Sequence, residues 1–131
     1  WVSISSVVKV SDDDIAWLYP TDSLDVVAHR WIDAGVSCVV ITRGAKGLIG
    51  FTAGGMEEVD GVKVDVVDTV GAGDTVGAIV VEGIIAHSVH GLQGQVLNAL
   101  LHKAAIAAGI TCSRAGAQPP RAHELVEAME K

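Results

Sequence analysis

One glycine-rich turn in this chain is followed by an acidic residue, a combination suited to chemistry on a phosphate group. The turn is Gly71-Ala72-Gly73, and Asp74 comes directly after it. A β-branched run at residues 64–68 predicts a strand before the turn, and an apolar segment predicts a helix after it. Glycines let the backbone turn sharply, and the first N–H groups of a helix have no partner within it, so this arrangement predicts an anion site. A carboxylate beside a bound phosphate favours the role of a general base, which takes a proton from an attacking hydroxyl.

Two other glycine-loop motifs fit this stretch poorly. The dinucleotide-binding fingerprint requires G-x-G-x-x-G, whereas the third glycine here is Gly77, one residue too late. No Lys-Ser or Lys-Thr pair follows the glycines, as a Walker loop requires. A structural alternative stays open, in which Asp74 only caps the following helix, since Asp is a preferred residue at helix N-caps.

Residues 68–75, Asp-Thr-Val-Gly-Ala-Gly-Asp-Thr, resemble the C-terminal signature of the PfkB, or ribokinase-like, family of sugar kinases. In that family the Gly-Ala-Gly-Asp turn forms the anion hole for the transferred phosphoryl group, and its Asp is the catalytic base. The resemblance therefore implies that Asp74 is the base and that the backbone of residues 71–73 forms the anion hole. Family members usually have Phe after the Thr and often Asn next, where this chain has Val76 and Gly77.

A second pair of glycines, Gly44 and Gly47, follows a predicted strand. On physical grounds alone, such glycines most often mark a hairpin into the next strand, here residues 48–52. Family members have Thr-x-Gly-x-x-Gly at this point, lying against the nucleotide, and Thr42 with the two glycines matches that motif. The resemblance thus implies that ATP binds here. Arg43 is a candidate charge partner for a phosphate, because a guanidinium suits phosphate oxygens.

Three further residues fall at positions that lie near the nucleotide or its magnesium ion in the family. Many members carry Asn-x-x-Glu, which helps to organise Mg²⁺ and the phosphates, where this chain has Ser11 and Asp14. Without the resemblance, the same residues would cap a short helix. Fructokinase-like members often carry Asn near the adenine where this chain has Ala105, so an adenine contact there would be made by apolar packing or by the backbone.

The resemblance also implies a site for a monovalent cation such as K⁺. Residues 111–117 are similar to the family segment Thr-Cys-Thr-Arg-x-Gly-Ala, which borders the nucleotide and that cation. Asp68 and the carbonyl of Val70 would help to hold the ion, together with carbonyls near Arg114 and Gly116.

The composition argues against several other classes of function. Half of the 131 residues are hydrophobic, so one domain with a sizeable core is expected. The formal net charge is −7 and the nine Lys and Arg residues form no cluster, so nucleic acid is not expected as a partner. The apolar runs are too short for a membrane span and no signal-peptide pattern begins the sequence, so we expect a cytoplasmic protein. Cys38 and Cys112 lie in apolar surroundings and are expected to be free thiols.

Strand and helix patterns alternate along the chain, which indicates an α/β fold. The run at residues 37–42 is continuously apolar, which is typical of a strand buried on both faces of a sheet. The predicted strands span residues 4–10, 37–42, 48–52, 56–59 and 64–68, and the predicted helices follow Ser11 and span residues 24–34, 75–87, 95–110 and 122–129. The resemblance implies an open, mostly parallel sheet flanked by helices, as in the C-terminal half of a ribokinase-like three-layer fold.

The resemblance extends from Lys9 to Met129 and corresponds only to the C-terminal half of the family. The Lys-Val-Ser-Asp sequence that begins at Lys9 is most similar to the bacterial fructokinase branch, so fructose is the expected sugar; a nucleoside or a keto-deoxy sugar acid is the alternative. The sugar-holding residues and the β lid of the family's N-terminal half have no counterpart here.

We therefore expect a single fragment-like domain, residues 1–131, that carries the nucleotide site and the catalytic base. Such a chain would be an ATP-dependent sugar kinase that phosphorylates sugar weakly or not at all, since most of the sugar pocket is missing. The alternative is a non-catalytic nucleotide-binding or assembly module, which pairs with itself or with another chain through exposed apolar surface.

Overall fold

The computed structural model describes residues 6–131, which form four strands and five α-helices. In chain order these are β1 (Val7–Ser11), α1 (Asp12–Leu18), α2 (Leu24–Asp33), β2 (Cys38–Thr42), β3 (Leu48–Thr52), β4 (Gly55–Val59), α3 (Ala72–His87), α4 (Gly94–Cys112) and α5 (Ala122–Met129). A 3-10 turn, Gly44–Lys46, connects β2 to β3. All of the predicted helices and the first four predicted strands are confirmed to within a few residues at their ends. Residues 4 and 5, the predicted start of the first strand, lie outside the described range.

The four strands form one open sheet in the order β1-β2-β3-β4. β1 and β2 are parallel, with Val7 opposite Cys38, and α1 and α2 form the connection between them. β2, β3 and β4 pair antiparallel, because the short turns between them leave room only for hairpins. The α/β class and the open sheet flanked by helices are confirmed. Parallel pairing within the described sheet is limited to β1 and β2, so this sheet is mixed and not mostly parallel as the resemblance implied.

Helices cover both faces of the sheet, and β2 contributes to the core on each side. Val39 and Ile41 belong to the cluster that contains Ile15 of α1 and Trp31 of α2. Val40 belongs to the second cluster, which is formed with α3, α4 and α5. Alternate residues of a strand point to opposite faces, so burial on both sides explains why the apolar run is continuous. The result is three layers, with the sheet in the middle.

The strand predicted at residues 64–68 is wrong, because these residues form no strand. The N–H group of Val67 donates instead to the carbonyl of Cys112, at the end of α4. Val62, two residues before this run, packs against α4, because a Cβ added to Gly109 would lie 3.3 Å from the Cβ of Val62. Contacts with α4 therefore override the β propensity of this valine-rich run.

α3 is apolar on nearly all sides, yet only one of its faces is covered. Val76, Ile79 and Val80 are buried against the rest of the fold, whereas Ile85 is 81% exposed. Among the helices within residues 6–131, none combines the length and the apolarity needed to cross a bilayer.

We predict that Gly47→Ala destabilises the fold much more than Gly44→Ala does. A Cβ on Gly47 would lie 2.1 Å from the carbonyl oxygen of Val59, and φ at this residue is +96°. Because the clash is with backbone, no side-chain rotation can relieve it. At Gly44, where φ is +54°, a Cβ would meet nothing within 4 Å.

We expect Gly47→Ala to lower the free energy of unfolding by roughly 3 kcal/mol or more, and Gly44→Ala by about 1 kcal/mol. Chemical denaturation of the two variants beside the parent chain gives both values. Equal losses would mean that the close approach at Gly47 is not present in solution.

Candidate functional site

A cavity of about 460 Å³ opens between the β2–β3 turn, the start of α3 and the C-terminal half of α4. Thr42, Gly44 and Gly47 line it from the turn, Gly73 lines it from α3, and Ala105 lines it from α4. These residues are far apart in the sequence, and the fold brings them to one place. The cavity therefore unites the Thr-x-Gly-x-x-Gly motif, the Gly-Ala-Gly-Asp turn and the position predicted to lie near an adenine.

The β2–β3 turn is held in shape by its own backbone. The N–H group of Arg43 donates to the carbonyl of Gly47 over 2.9 Å, which closes the loop. Gly61 approaches the turn so closely that a Cβ on it would lie 2.1 Å from the carbonyl oxygen of Ala45. Residues 61–64 consequently lie against the turn and form another wall of the cavity. The predicted hairpin is confirmed, and the same hairpin shapes a pocket.

Asp74 lies in the first turn of α3 and does not cap the helix. The N-cap is Gly71, at φ +84°, and no side chain forms a capping hydrogen bond there. The alternative in which Asp74 only caps the helix is therefore wrong. Ala72 and Gly73 line the cavity, and Asp74 follows them with an exposed side chain. Asp74 itself does not line the cavity, and its carboxylate is open to solvent rather than enclosed in the core.

Two buried threonine hydroxyls hold the glycine turn against α4. Thr75 Oγ1 lies 3.0 Å from the carbonyl oxygen of Gly71 and 2.9 Å from Thr111 Oγ1, a contact in which either hydroxyl can donate. Thr111 Oγ1 lies 3.0 Å from the carbonyl oxygen of Ala107, one turn earlier in α4, so the two hydroxyl protons serve three contacts. Sequence reasoning missed this pair. The available signal was a threonine within an otherwise apolar helix, where the hydroxyl commonly bonds the carbonyl four residues earlier.

Asp68 joins the approach to the glycine turn to the loop after α4. Its Oδ1 accepts from the N–H group of Val70 over 3.0 Å, and its Oδ2 accepts from the N–H group of Gly116 over 2.9 Å. These N–H groups, Val70 first, lower the pKa of the Asp68 carboxyl. Three of the four residues predicted to hold a monovalent cation therefore lie together. The fourth, Arg114, lies two residues before Gly116, and its side chain pairs with Glu124 over 2.7 Å.

Ser11 and Asp14 form the capped start of α1. Ser11 Oγ accepts from the N–H group of Asp14 over 3.0 Å, and three acidic residues fill the first turn. The helix-capping interpretation of this stretch is confirmed. Neither residue lines the cavity, and the Asp14 side chain is exposed. Their roles toward magnesium and the nucleotide stay predictions.

Within residues 6–131, no cluster of three or more His, Cys, Asp or Glu side chains is arranged to hold a metal ion. A magnesium ion that arrives with a nucleotide needs no such cluster, because phosphate oxygens and water supply most of its ligands. Asp14 is exposed but does not line the cavity, so its role as such a ligand stays a prediction. At Asp68 both carboxylate oxygens already accept N–H groups, so a monovalent cation there would depend mainly on backbone carbonyls.

Arg43 is directed away from the cavity. Its guanidinium pairs with Glu58 over 2.9 Å and donates to the carbonyl of Lys46 over 3.1 Å. A phosphate contact by Arg43 would require the ion pair with Glu58 to open. Lys63, which sequence analysis did not single out, is the basic residue that lines the cavity.

Lys9 and Cys112 are two further residues near the site. Sequence analysis gave Lys9 no role there, whereas Cys112 belongs to residues 111–117, which the resemblance already implied to border the nucleotide. Lys9 Nζ donates to the carbonyl of Gly73 over 3.2 Å, so its ammonium lies on the glycine turn. Cys112 lines the cavity, whereas Cys38 is buried in the core, and both are free thiols as predicted. Burial raises the pKa of the Cys38 thiol to about 11. The contact between Lys9 and Gly73 joins residues that are 64 positions apart, so local sequence patterns could not show it.

Comparisons with known proteins agree with the geometry of the site. A family model described as pfkB family carbohydrate kinase matches residues 1–124. The chain is 44% identical over 82 residues to a fructokinase of Rhizobium leguminosarum bv. trifolii, in an alignment that covers 63% of this chain and 24% of that protein. The chain thus spans about a quarter of the length of that relative.

Two solved structures have the same fold. The fructokinase of Xylella fastidiosa with bound ATP superposes with a TM-score of 0.84 at 21% identity, over 98% of this chain and 44% of that one. A double mutant of the fructokinase of Vibrio cholerae O395, with fructose, ADP and potassium ion bound, superposes with a TM-score of 0.81 at 26% identity, over 96% of this chain and 41% of that one.

The family predicted from the Gly-Ala-Gly-Asp turn is confirmed by the extent of the family match and by the shared fold. The match covers all of the motifs that meet at the cavity. On this basis, the chain belongs to the pfkB family of carbohydrate kinases.

Proposed function

We propose that this chain is the nucleotide-binding and base-carrying part of a fructokinase-like sugar kinase. In this proposal the cavity holds ATP, and Asp74 takes the proton from a sugar hydroxyl as that hydroxyl attacks the γ-phosphate. The observation that carries the proposal is the meeting of Thr42, Gly47, Gly73 and Ala105 around one cavity beside an exposed carboxylate.

The cavity suits a nucleotide in size and in the chemistry of its ends. About 460 Å³ falls within the usual range of small-molecule sites. At one end, Ala105, Ala108 and Gly109 offer an apolar surface for a base. At the other end, Gly73 lies at the start of α3, where unpaired N–H groups and the helix dipole favour a phosphate.

The proposed chemistry depends on position more than on covalent participation. Phosphoryl transfer is catalysed largely by aligning the attacking hydroxyl and by stabilising negative charge on the phosphate. Asp74 and the amides of the turn supply the base and part of the charge stabilisation. Mg²⁺ supplies neutralisation of the phosphate oxygens when bound, with Asp14 as the candidate ligand, and a K⁺ ion is proposed beside Asp68.

The sugar is proposed from the relatives, several of which are fructokinases. Fructose is therefore the first substrate to test, followed by a nucleoside and a keto-deoxy sugar acid. We place the reaction in the cytoplasm, where ATP is available. Because the chain spans 24% of the Rhizobium fructokinase and 41% of the Vibrio one, we expect the isolated chain to bind nucleotide and to turn over sugar slowly or not at all.

A second candidate function is assembly with a second copy or with another chain. It is favoured by large apolar side chains on the surface, among them Trp17 at 82% and Ile85 at 81% exposure. β1, at the end of the sheet, also presents an edge to which no strand of residues 6–131 is paired. Such features commonly mark surfaces that another protein covers.

We predict that ATP protects Cys112 from alkylation. In the folded chain a maleimide should react with Cys112, which lines the cavity, and not with Cys38, whose side chain is fully buried. At ten times its Kd, ATP leaves about one cavity in eleven free, so labelling should slow roughly tenfold. Mass spectrometry identifies the labelled residue, and Cys112→Ser is the control that should not label. Labelling that saturating ATP leaves unchanged would overturn nucleotide binding at this cavity.

We predict that Asp74→Asn removes whatever fructose-dependent ADP formation the chain has and leaves the protection of Cys112 by ATP intact. An amide cannot take the hydroxyl proton, and loss of a general base typically lowers the rate by about 10² to 10⁴. Asp65→Asn, which removes an exposed carboxylate from a residue that does not line the cavity, is the matched control and should not change the rate. Equal rates for Asp74→Asn and the parent chain would exclude Asp74 as the base. Turnover by the isolated chain at a typical enzyme rate, about 1 s⁻¹ or faster, would contradict the expected weak activity.

The assembly hypothesis predicts a particle mass of two or more chains in light scattering, and a return to one chain in Ile85→Glu. A carboxylate at the centre of an apolar contact carries a large desolvation cost. Met56→Glu, on β4 and half exposed, is the matched control and should not change the mass. A monomer at micromolar concentration in the parent chain would exclude assembly with a second copy, the form of the hypothesis that this experiment tests.

A further inference from the structure

The side chain of Lys9 lies along the start of α3. Its Nζ donates to the carbonyl of Gly73 over 3.2 Å, and its Cδ lies 3.9 Å from where a Cβ on Gly77 would be. A Cβ on Gly73 would in turn lie 3.3 Å from Nζ. Because Gly73 and Gly77 have no side chains, the Lys9 side chain can lie across the start of α3, from β1 to the glycine turn.

Lys9 also has charge and hydrogen-bonding capacity left over. Four of the nine basic residues form ion pairs with carboxylates in the described part of the chain: Arg30, Arg43, Lys103 and Arg114. Lys9 is not among them, and its side chain has one hydrogen-bond partner among the described residues, the carbonyl of Gly73. An ammonium has three donors, so two remain for another acceptor. A cation in this state, held on a turn that borders a cavity, can bind an anion there.

We propose that Lys9 is a phosphate-binding residue that contacts the terminal phosphate of the nucleotide. This inference rests on the proposed function, in which the cavity holds ATP with its phosphates at the α3 end. Gly73 lines the cavity and its carbonyl holds the Lys9 ammonium, so a phosphate beside the turn amides lies within reach of the same ammonium. The contact is a charge-assisted hydrogen bond, N⁺–H to phosphate oxygen.

The position of Lys9 also resolves an electrostatic conflict at the site. Asp74 is the next residue after Gly73, and its carboxylate would repel a γ-phosphate placed close enough to be attacked. An ammonium on the carbonyl of Gly73 attracts both groups and lowers the cost of holding them side by side. The same ammonium stabilises the charge that spreads over the transferring phosphoryl oxygens.

The test compares the affinities of ATP and ADP for the parent chain, Lys9→Met and Lys9→Arg, measured by calorimetry and by protection of Cys112. Met keeps a flexible side chain without the charge, and Arg keeps the charge. Lys131→Met is the matched control, since it removes the same charge from an exposed residue that neither lines the cavity nor bonds the glycine turn, whereas Lys9 bonds that turn. Circular dichroism and thermal melting establish that each variant is folded.

We expect the ratio of ATP affinity to ADP affinity to fall about tenfold in Lys9→Met, the typical effect of one charge-assisted hydrogen bond at a partly solvated site. The ratio should stay within about threefold of the parent value in Lys9→Arg and be unchanged in Lys131→Met. Equal loss of ATP and ADP binding in Lys9→Met would overturn the inference, because Lys9 would then only shape the cavity. Parent-like binding by Lys9→Met would also overturn it. A parent chain that binds neither nucleotide would instead overturn the proposed function, and with it the inference.

Discussion

The contact between the start of α3 and the end of α4 is the constraint on which the whole site depends. Thr75 and Thr111 share a buried hydrogen bond, and each hydroxyl also lies within hydrogen-bonding distance of the carbonyl four residues earlier. α3 carries the glycine turn, and α4 carries the apolar side of the cavity at Ala105. A shift of one helix along the other would separate the part of the cavity that Gly73 lines from the part that Ala105 lines. Because a buried hydroxyl without a partner is costly, the pair also penalises such shifts.

Two aspartates six residues apart illustrate how the same side chain is given different tasks. Asp68 accepts from two backbone N–H groups, which lower its pKa and hold the carboxylate as a connector between two loops. Asp74 makes no capping hydrogen bond at its helix and is exposed next to the residues that line the cavity. The N–H groups that bind Asp68 stabilise its ionised form and make it a weaker base, so of the two carboxylates Asp74 suits the proposed role better. The hydrogen bonds thus agree with the role that the family resemblance implies for Asp74.

Local sequence patterns were enough for most of the fold and failed where distant contacts decide. The run Cys38–Thr42 is a buried strand because its residues are apolar on both faces, and Ser11 caps α1 through a contact only three residues long. The strand predicted at residues 64–68 fails because α4, more than forty residues later, supplies its hydrogen-bond partner at Cys112. At the site, sequence analysis found the glycine motifs that carry the family resemblance, because each motif consists of residues close together in the sequence.

The members of the site that were missed share a different property. Lys9, Lys63 and the hydrogen bond between Thr75 and Thr111 join the site through tertiary contacts, which local sequence patterns do not show. Arg43 shows the reverse, because a basic residue inside a recognised motif is engaged by Glu58 of β4. A basic residue that already pairs with a carboxylate, such as Arg43, is therefore a weaker candidate for a phosphate contact than Lys9, which bonds only a carbonyl.

Binding and turnover place different demands on the proposed site. The cavity is lined by residues between Thr42 and Cys112, all of which belong to the described fold, so the proposed nucleotide site is formed by this chain's own residues. Catalysis differs, because a base accelerates phosphoryl transfer only when the attacking hydroxyl is held in line with the phosphate. Asp74 is exposed, and the described residues leave its carboxylate open to solvent. If Asp74 is the base, the alignment of the attacking hydroxyl therefore has to come from groups other than those that line the cavity.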